Sequence, residues 1–159
     1  MIPGVMRKFL ERASVAVAGT RDESLVPHVH FLCGWSVDAD GNVVCLFPEA
    51  FAEGLVKRLE KTGTLALTAE VIGPHECYQF KGRYLDARPA TEGDRATVDA
   101  CRQRFVDGVR KHLGERFSEP SLRARFHPPS IAVRVGVEEI YVQTPGPAAG
   151  KRLFPPEAS

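Results

Sequence analysis

The side chains with the most chemical potential in this sequence alternate along one predicted strand, Glu76–Asp86. One face carries Cys77, Gln79, Lys81 and Arg83, and the opposite face carries Tyr78, Phe80 and Tyr84. Such alternation is typical of the solvated outer face of an antiparallel strand. It also fits one wall of a cofactor site, where Gln79 offers amide hydrogen bonds and Lys81 or Arg83 offers positive charge. The sequence leaves both interpretations open.

Two histidines on either side of Val29 form the next candidate motif. In an extended strand, His28 and His30 point to the same side. A metal site needs further ligands, but Gly34 and Trp35 stand where a cupin-type pattern would place a glutamate. We therefore expect no metal, and a structural or cofactor-lining role for both histidines. Because neutral histidine is easily tuned near neutral pH, the same two residues are the candidate proton donors.

The segment Pro145–Arg152 resembles a phosphate-binding loop only weakly. It contains two prolines, which lack the backbone N–H that a phosphate cradle requires, and neither Ser nor Thr follows Lys151. We expect instead a turn that folds the C-terminal tail over a neighbouring strand. Glu138 and Glu139 are adjacent on a predicted strand and point to opposite faces, which makes them poor partners in acid–base catalysis.

The elements that must position these side chains follow from their hydrophobic periods. We predict six strands and two long helices, with a shorter helix near Pro120–Phe126. The strands are Ala13–Gly19, Val26–Asp38, Asn42–Pro48, Thr64–Val71, Glu76–Asp86 and Ile131–Val142, and the helices are Ala50–Thr62 and Thr91–Leu113.

Local signals support these boundaries. Asp40-Gly41 between two apolar runs predicts a hairpin, and Thr91-x-x-Asp94 predicts a variant capping box at the start of the second helix. A change of phase across Glu138–Glu139 predicts a β-bulge. The predicted buried faces are Phe51, Leu55 and Leu59 in the first helix and Val98, Cys101, Phe105, Val109 and Leu113 in the second.

Length and composition narrow the class of protein. A chain of 159 residues with a net charge of +1 predicts one domain over 1–159, with its core at about 7–145 and a C-terminal tail at 146–159. The balanced charge predicts neither a nucleic-acid nor a membrane partner. No apolar run approaches the ~20 residues that span a bilayer, and none has the pattern of a secretory signal. The four cysteines show no C-x-x-C pair, which favours free thiols and a cytoplasmic location.

The run from Ala13 to Asp86 resembles the pyridoxamine 5'-phosphate oxidase-like flavin-binding split barrels. The stretches that match are ASVAVAG, VPHVHFLCGWSVDADGNVVCLFP, LVKRLEKTG, TLALTAEV, the Gln-Phe-Lys-Gly strand and, further on, IAVRVGVEEIYVQTPG. The resemblance implies a mainly β fold, a six-stranded antiparallel split β-barrel with two to three helices.

The same resemblance implies a homodimer that binds FMN in clefts at the subunit interface. The flavin would make the protein an oxidoreductase that passes electrons from a nicotinamide or similar donor to a small-molecule substrate. The residues that the resemblance places at the cofactor are His28, Val29, His30, Phe47, Pro48, Glu49, Lys57, Arg58, Gln79 and Lys81.

The sequence departs from the family where the FMN phosphate binds. Family members carry a Ser-Arg-Lys-like or Ser-x-Lys-like run in the first turn of the first long helix, whereas this chain has Glu53-Gly54-Leu55. Glu49 and Glu53 would repel a phosphate at that helix start. Lys57 or Arg58, one turn later, or an arginine from the partner subunit would have to supply the missing charge.

This departure keeps a second interpretation open. The chain would then be a non-catalytic split-barrel binding module that holds haem, a deazaflavin or no cofactor. We also expect that it is not a true pyridoxamine-phosphate oxidase, because KRLFPPEAS lacks the Arg- and Trp-rich segment that grips pyridoxal phosphate in that enzyme.

Overall fold

A computed structural model describes residues 1–155, apart from the side chain of residue 115. The last four residues of the predicted tail, 156–159, lie outside the described residues. The helices are α1 (Gly4–Arg12), α2 (Glu49–Thr62), α3 (Glu92–Leu113) and α4 (Glu119–Ala124), with a 3-10 turn at Gly114–Arg116. The strands are β1 (Val15–Arg21), β2 (Pro27–Phe31), β3 (Gly34–Val37), β4 (Val43–Phe47), β5 (Thr64–Val71), β6 (Glu76–Pro89), β7 (Ile131–Val142) and β8 (Arg152–Phe154).

The strands form one curled antiparallel sheet. Its order is β2-β1-β5-β6-β7-β4-β3, and β8 pairs with β7 beside this path. The two end strands, β2 and β3, are separated in sequence by Leu32 and Cys33 alone. Because two residues span so short a distance, the sheet must curl until its two edges come close together. The mainly β, antiparallel class predicted from the sequence is confirmed.

Two predictions about the number of elements are wrong. The described residues contain eight strands, not six, because the predicted strand Val26–Asp38 is two strands and the tail adds β8. Leu32 and Cys33 are both buried, so the hydrophobic pattern continues through the break and hides it. Residues 1–155 contain four α-helices, not two to three. The missed helix, α1, buries only Met6, Phe9 and Leu10 along one side.

The local signals are confirmed. The Asp40-Gly41 turn joins β3 to β4, and Gly41 has φ +82°. Thr91 Oγ1 accepts the N–H of Asp94, and the Asp94 carboxylate accepts the N–H of Thr91. The register of β6 against β7 shifts so that Glu138 is the extra residue of a bulge.

Helix α2 closes one side of the core. Leu55 and Leu59 are fully buried, and burying each contributes about 1.5–3 kcal/mol. The predicted seam of α3 is buried from Val98 to Val109, but Leu113 at its end is 51% exposed, which corrects that prediction. No helix within residues 1–155 is long and apolar enough to cross a membrane.

The face of the sheet that points away from the core is the surface that we call the outer face. Its side chains stand opposite one another across four strands in two rows. One row is Phe31, Val17, Thr68 and Gln79, and the next row is Val29, Gly19, Ala66 and Lys81. A cavity of about 490 Å³ lies over Gly19, Ala66 and Lys81 of the second row and extends to Gly82 and Glu139.

The close approach of β6 and β7 beside the bulge requires glycine at position 82. A Cβ at Gly82 would lie 2.3 Å from the carbonyl oxygen of Gly136, so the two strands would have to separate. We expect Gly82→Ala to lower the free energy of unfolding by about 1–3 kcal/mol, measured by urea denaturation. Gly19→Ala is the control, since its Cβ would meet only an oxygen at 3.9 Å. Equal stability of the two variants would contradict the close approach.

The buried Asp94 carboxylate makes the stability of the fold depend on pH. Its pKa is lowered from 3.8 to about 2, mainly because Arg88 donates two hydrogen bonds to it. A lowered pKa contributes stability that is fully present above pH 4 and is lost as the pH falls through about 2.

We expect Asp94→Asn to cost about 2 kcal/mol of unfolding free energy at neutral pH. The difference from the wild type should shrink as the pH is lowered toward 2. Urea denaturation at several pH values measures this. Asp107→Asn, at an exposed position of the same helix, is the control and should have little effect. A difference for Asp94→Asn that does not change with pH would contradict the stabilising role of the Arg88–Asp94 ion pair.

Candidate functional site

His30 lies at the centre of a buried polar cluster between β1, β2 and α2. The alternation of β2 turns its side chain to the core, where it is only 5% exposed. Its ring meets Phe47 at 6.2 Å and Phe51 at 5.3 Å between centroids, in edge-to-face arrangements. The imidazole is therefore fixed by aromatic packing as well as by its strand.

The hydrogen bonds of His30 settle its tautomer. Its Nε2 lies 3.3 Å from a terminal guanidinium nitrogen of Arg58 and 3.4 Å from Oγ1 of Thr20. A guanidinium only donates, so Nε2 accepts and the ring proton is on Nδ1. Nδ1 is buried without a partner among the described residues. Burial first, then the charge of Arg58, lowers the pKa of His30, so the ring is neutral at pH 7.

Arg58 is the cation of α2 that has no carboxylate partner among the described residues. Lys57 Nζ lies 2.6 Å from Glu53, and Lys61 Nζ lies 2.6 Å from Glu23. The Arg58 guanidinium extends back toward Gly54 one turn earlier, where a Cβ would lie 3.3 Å from one of its nitrogens. The glycine in the predicted phosphate-binding turn thus leaves room for this arginine.

A cavity of about 400 Å³ lies in front of Arg58, between α2 and the connection from β1 to β2. It is lined by Asp22, Glu23, Gly54, Lys57, Arg58, Glu60, Lys61 and Thr62. The lysines in this wall are already neutralised by carboxylates. Arg58 is consequently the cation of this wall that remains available to an anionic group, although the carboxylates of Asp22 and Glu60 line the same cavity.

His28 lies near the start of β2, two residues before His30, and is half-exposed. Its Nε2 is 3.5 Å from a carboxylate oxygen of Asp22. Asp22 also accepts the N–H groups of Ser24 and Val26, and the Val26 bond is the main reason that its pKa is lowered. Val29 points to the outer face. Among residues 1–155, no group of three or more His, Cys, Asp or Glu side chains is placed to hold a metal ion.

The start of α2 lies beside a different cavity from the one in front of Arg58. Phe47 is buried in the core, whereas Pro48 and Glu49 line an open cavity of about 580 Å³ together with Arg95 and His127. The exposed Glu53 in the next part of α2 is paired with Lys57. Of the predicted residues Phe47, Pro48 and Glu49, only Phe47 contacts the His30 ring.

Gln79 and Lys81 stand on the outer face of the sheet, on the opposite side from His28 and His30. Gln79 donates to Oγ1 of Thr68 at 3.2 Å, and Lys81 Nζ lies 4.4 Å from the centre of the Tyr141 ring. Within one chain, the predicted cofactor residues other than Phe47, Pro48 and Glu49 therefore fall into two groups. His28, His30, Lys57 and Arg58 surround the α2 side, and Val29, Gln79 and Lys81 lie on the outer face.

Two side chains of the cluster were missed by the sequence analysis. Thr20 follows Ala16 and Ala18 at the period of a strand, but the predicted strand ended at Gly19, two residues before the end of β1 at Arg21. Extending that period by one step would have placed a hydroxyl inside. Asp22 lies in the turn that follows, where a carboxylate bonded to nearby N–H groups is a common turn signal.

Comparisons with known proteins bear on the fold. No protein-family model matches the sequence, and no curated protein sequence matches it significantly. HupZ of Group A Streptococcus is a similar structure, with 14% identity and a TM-score of 0.55 over 94% of this chain and 100% of that chain. A provisionally assigned pyridoxamine 5'-phosphate oxidase of Lactobacillus delbrueckii has 12% identity and a TM-score of 0.53 over 89% and 93%.

An F420 reductase is also similar, with 16% identity and a TM-score of 0.53 over 87% of this chain and 98% of that chain. At such identities the likeness shows the fold alone. It extends over nearly the whole chain and includes proteins of the group that the sequence resembles. The chain therefore has the split-barrel fold of the pyridoxamine 5'-phosphate oxidase-like proteins.

Proposed function

We propose that this protein is an FMN-binding split barrel that acts as an oxidoreductase. The observation that carries the proposal is Arg58, a cation beside a cavity of about 400 Å³ with no carboxylate partner among the described residues. A phosphate monoester needs charge-assisted donors, and a guanidinium offers several in one plane. The split-barrel fold, shared with a provisionally assigned pyridoxamine 5'-phosphate oxidase, supports flavin as the phosphate-bearing ligand.

Bound FMN would supply the electron transfer between a nicotinamide or similar donor and a small substrate. The chain's own residues would bind and orient the cofactor. Arg58 would hold the phosphate, and Gln79 with its amide group on the outer face would offer hydrogen bonds to a polar ring edge. Of the two candidate proton donors, His30 is buried and accepts at Nε2, so His28 is the histidine with access to solvent.

We also propose that two copies associate through the outer face, so that Gln79 and Lys81 of each copy lie at the interface. Val29 is 68% exposed and Phe31 is 57% exposed on this face. Adjacent exposed apolar side chains on one face of a sheet are typical of a surface that is covered in an assembly. The homodimer also follows from the resemblance.

The alternative is a non-catalytic binding module on the same fold. The stretch Glu53-Gly54-Leu55 carries no cation of its own, and Lys57 beside it is paired with Glu53. The F420 reductase among the similar structures is in favour of a deazaflavin as a ligand. The absorbance spectrum of the purified protein separates these cases. Flavin gives a yellow protein whose pigment leaves on denaturation, haem gives a Soret band, and a deazaflavin absorbs at shorter wavelength than flavin.

The state of the cysteines is relevant to the cellular compartment in which the protein works. All four are reduced thiols in the structure, and burial raises the pKa of Cys33 and of Cys45 to about 12. Such thiols are unreactive and need no oxidising environment. This supports our proposal that the protein works in the cytoplasm.

Removing the Arg58 guanidinium tests the phosphate site. We expect Arg58→Ala to weaken FMN binding about tenfold or more, or about 1.4 kcal/mol, because the charged contact is lost. Riboflavin, which has no phosphate, should bind the variant and the wild type equally. Flavin fluorescence titration measures both ligands.

Lys57→Ala is the matched control, one residue away and already paired with Glu53. It should change FMN affinity by less than about twofold, since an exposed ion pair contributes little. If the wild type binds neither flavin, or if Lys57→Ala matches Arg58→Ala, the proposed site is wrong.

A charge on the outer face tests the proposed dimer. We expect Val29→Glu to shift the protein to monomers at micromolar concentration, because the carboxylate would be buried without a partner. Light scattering coupled to gel filtration measures the mass. Val5→Glu on α1, at a residue 65% exposed away from this face, should leave the mass unchanged. A monomeric wild type contradicts the proposal.

A further inference from the structure

We infer that His30 is a positioning residue that orients the Arg58 guanidinium and thereby sets the preference for phosphorylated over unphosphorylated flavin. This inference rests on the proposed function and assigns His30 a role other than cofactor contact or proton transfer. It is carried by one contact, in which a buried imidazole nitrogen faces a guanidinium at 3.3 Å.

The arginine has few other restraints. Apart from His30, its guanidinium has no hydrogen-bond or ion-pair partner among residues 1–155, and its Nε is buried without a partner in the same part of the chain. A free arginine side chain carries about 2 kcal/mol of rotamer entropy, which a ligand must overcome on binding. One hydrogen bond that fixes the guanidinium before the phosphate arrives removes part of that cost.

The imidazole is itself held from several elements. Thr20 of β1 has its Oγ1 3.4 Å from Nε2, where with the ring proton on Nδ1 the hydroxyl can only donate. The rings of Phe47 and Phe51 pack against the His30 ring from the end of β4 and from α2. An imidazole fixed in this way presents its Nε2 lone pair in one direction. The orientation of the Arg58 guanidinium is then set by His30 and the core residues that hold it, and not by contacts with solvent.

This role needs a neutral histidine. A protonated ring would direct an N–H at the Arg58 nitrogens, and two donors with like charge would repel each other. Burial, Arg58 and His28 all lower the pKa of His30, so the acceptor state persists at neutral pH. Because its ring is enclosed, His30 acts through Arg58 and does not exchange a proton with a substrate.

The test compares the ratio of the dissociation constants for riboflavin and FMN in the wild type, in two variants of His30, in Arg58→Ala and in one double variant. His30→Phe removes the acceptor but keeps an aromatic ring beside Phe47 and Phe51. We expect the ratio to fall about fivefold, which corresponds to about 1 kcal/mol of FMN binding free energy. His30→Gln retains an acceptor at the end of the side chain and should restore much of the ratio. In the Arg58→Ala background, His30→Phe should change the ratio no further, because the two residues act through one contact.

A second measurement on the wild type does not depend on the folding of a variant. The ¹⁵N resonances of the His30 ring should report a neutral ring with the proton on Nδ1. A proton on Nε2, or a charged ring at pH 7, overturns the inference, because neither state can accept from Arg58.

The outcomes separate this inference from the proposed function. If Arg58→Ala lowers the ratio and folded His30→Phe does not, phosphate binding stands and the positioning role is wrong. If the wild type binds FMN and riboflavin equally, the phosphate site itself is wrong. A fall in the ratio that is the same with and without Arg58 also overturns the inference, since it indicates a general effect on the barrel.

Discussion

A hydrogen bond between a permanent cation and a buried neutral imidazole is the interaction on which the candidate site depends. Arg58 donates to His30, and His30 is held in turn by Thr20 and by two aromatic rings. The inward direction of His30 comes from the alternation of β2, and that alternation is fixed by the pairing of β2 with β1. The pairing of the edge strand β2 thus determines where His30 lies, and through His30 where the Arg58 cation stands in the cavity beside α2.

The charges around α2 explain how the chain could bind a phosphate without the usual cations at the helix start. Three basic residues line the cavity, but carboxylates occupy Lys57 and Lys61. An anion would have to displace these carboxylates to use the lysines, whereas Arg58 has only a neutral partner. Gly54 leaves space for the Arg58 guanidinium. The glycine that departs from the family's phosphate-binding pattern therefore makes room for a cation from one turn later.

Much of the fold could be predicted from the sequence because apolar and polar residues alternate along the strands. The bulge at Glu138, the turn at Asp40-Gly41 and the cap at Thr91 are local features with local signals, and the structure confirms them. The break at Leu32–Cys33 has no such signal, since both residues are buried on either side of a corner. The choice between Lys57 and Arg58 could not be predicted either. Both are cations one residue apart, and only the positions of Glu53 and His30 distinguish them.

A crystal structure of the protein with FMN would test the central claim most directly. The account predicts phosphate oxygens within about 3 Å of the Arg58 guanidinium nitrogens. It also predicts that the contact from Arg58 to His30 is kept. A phosphate bound at the first turn of α2 away from Arg58, or crystals that contain no flavin at saturating FMN, would contradict it.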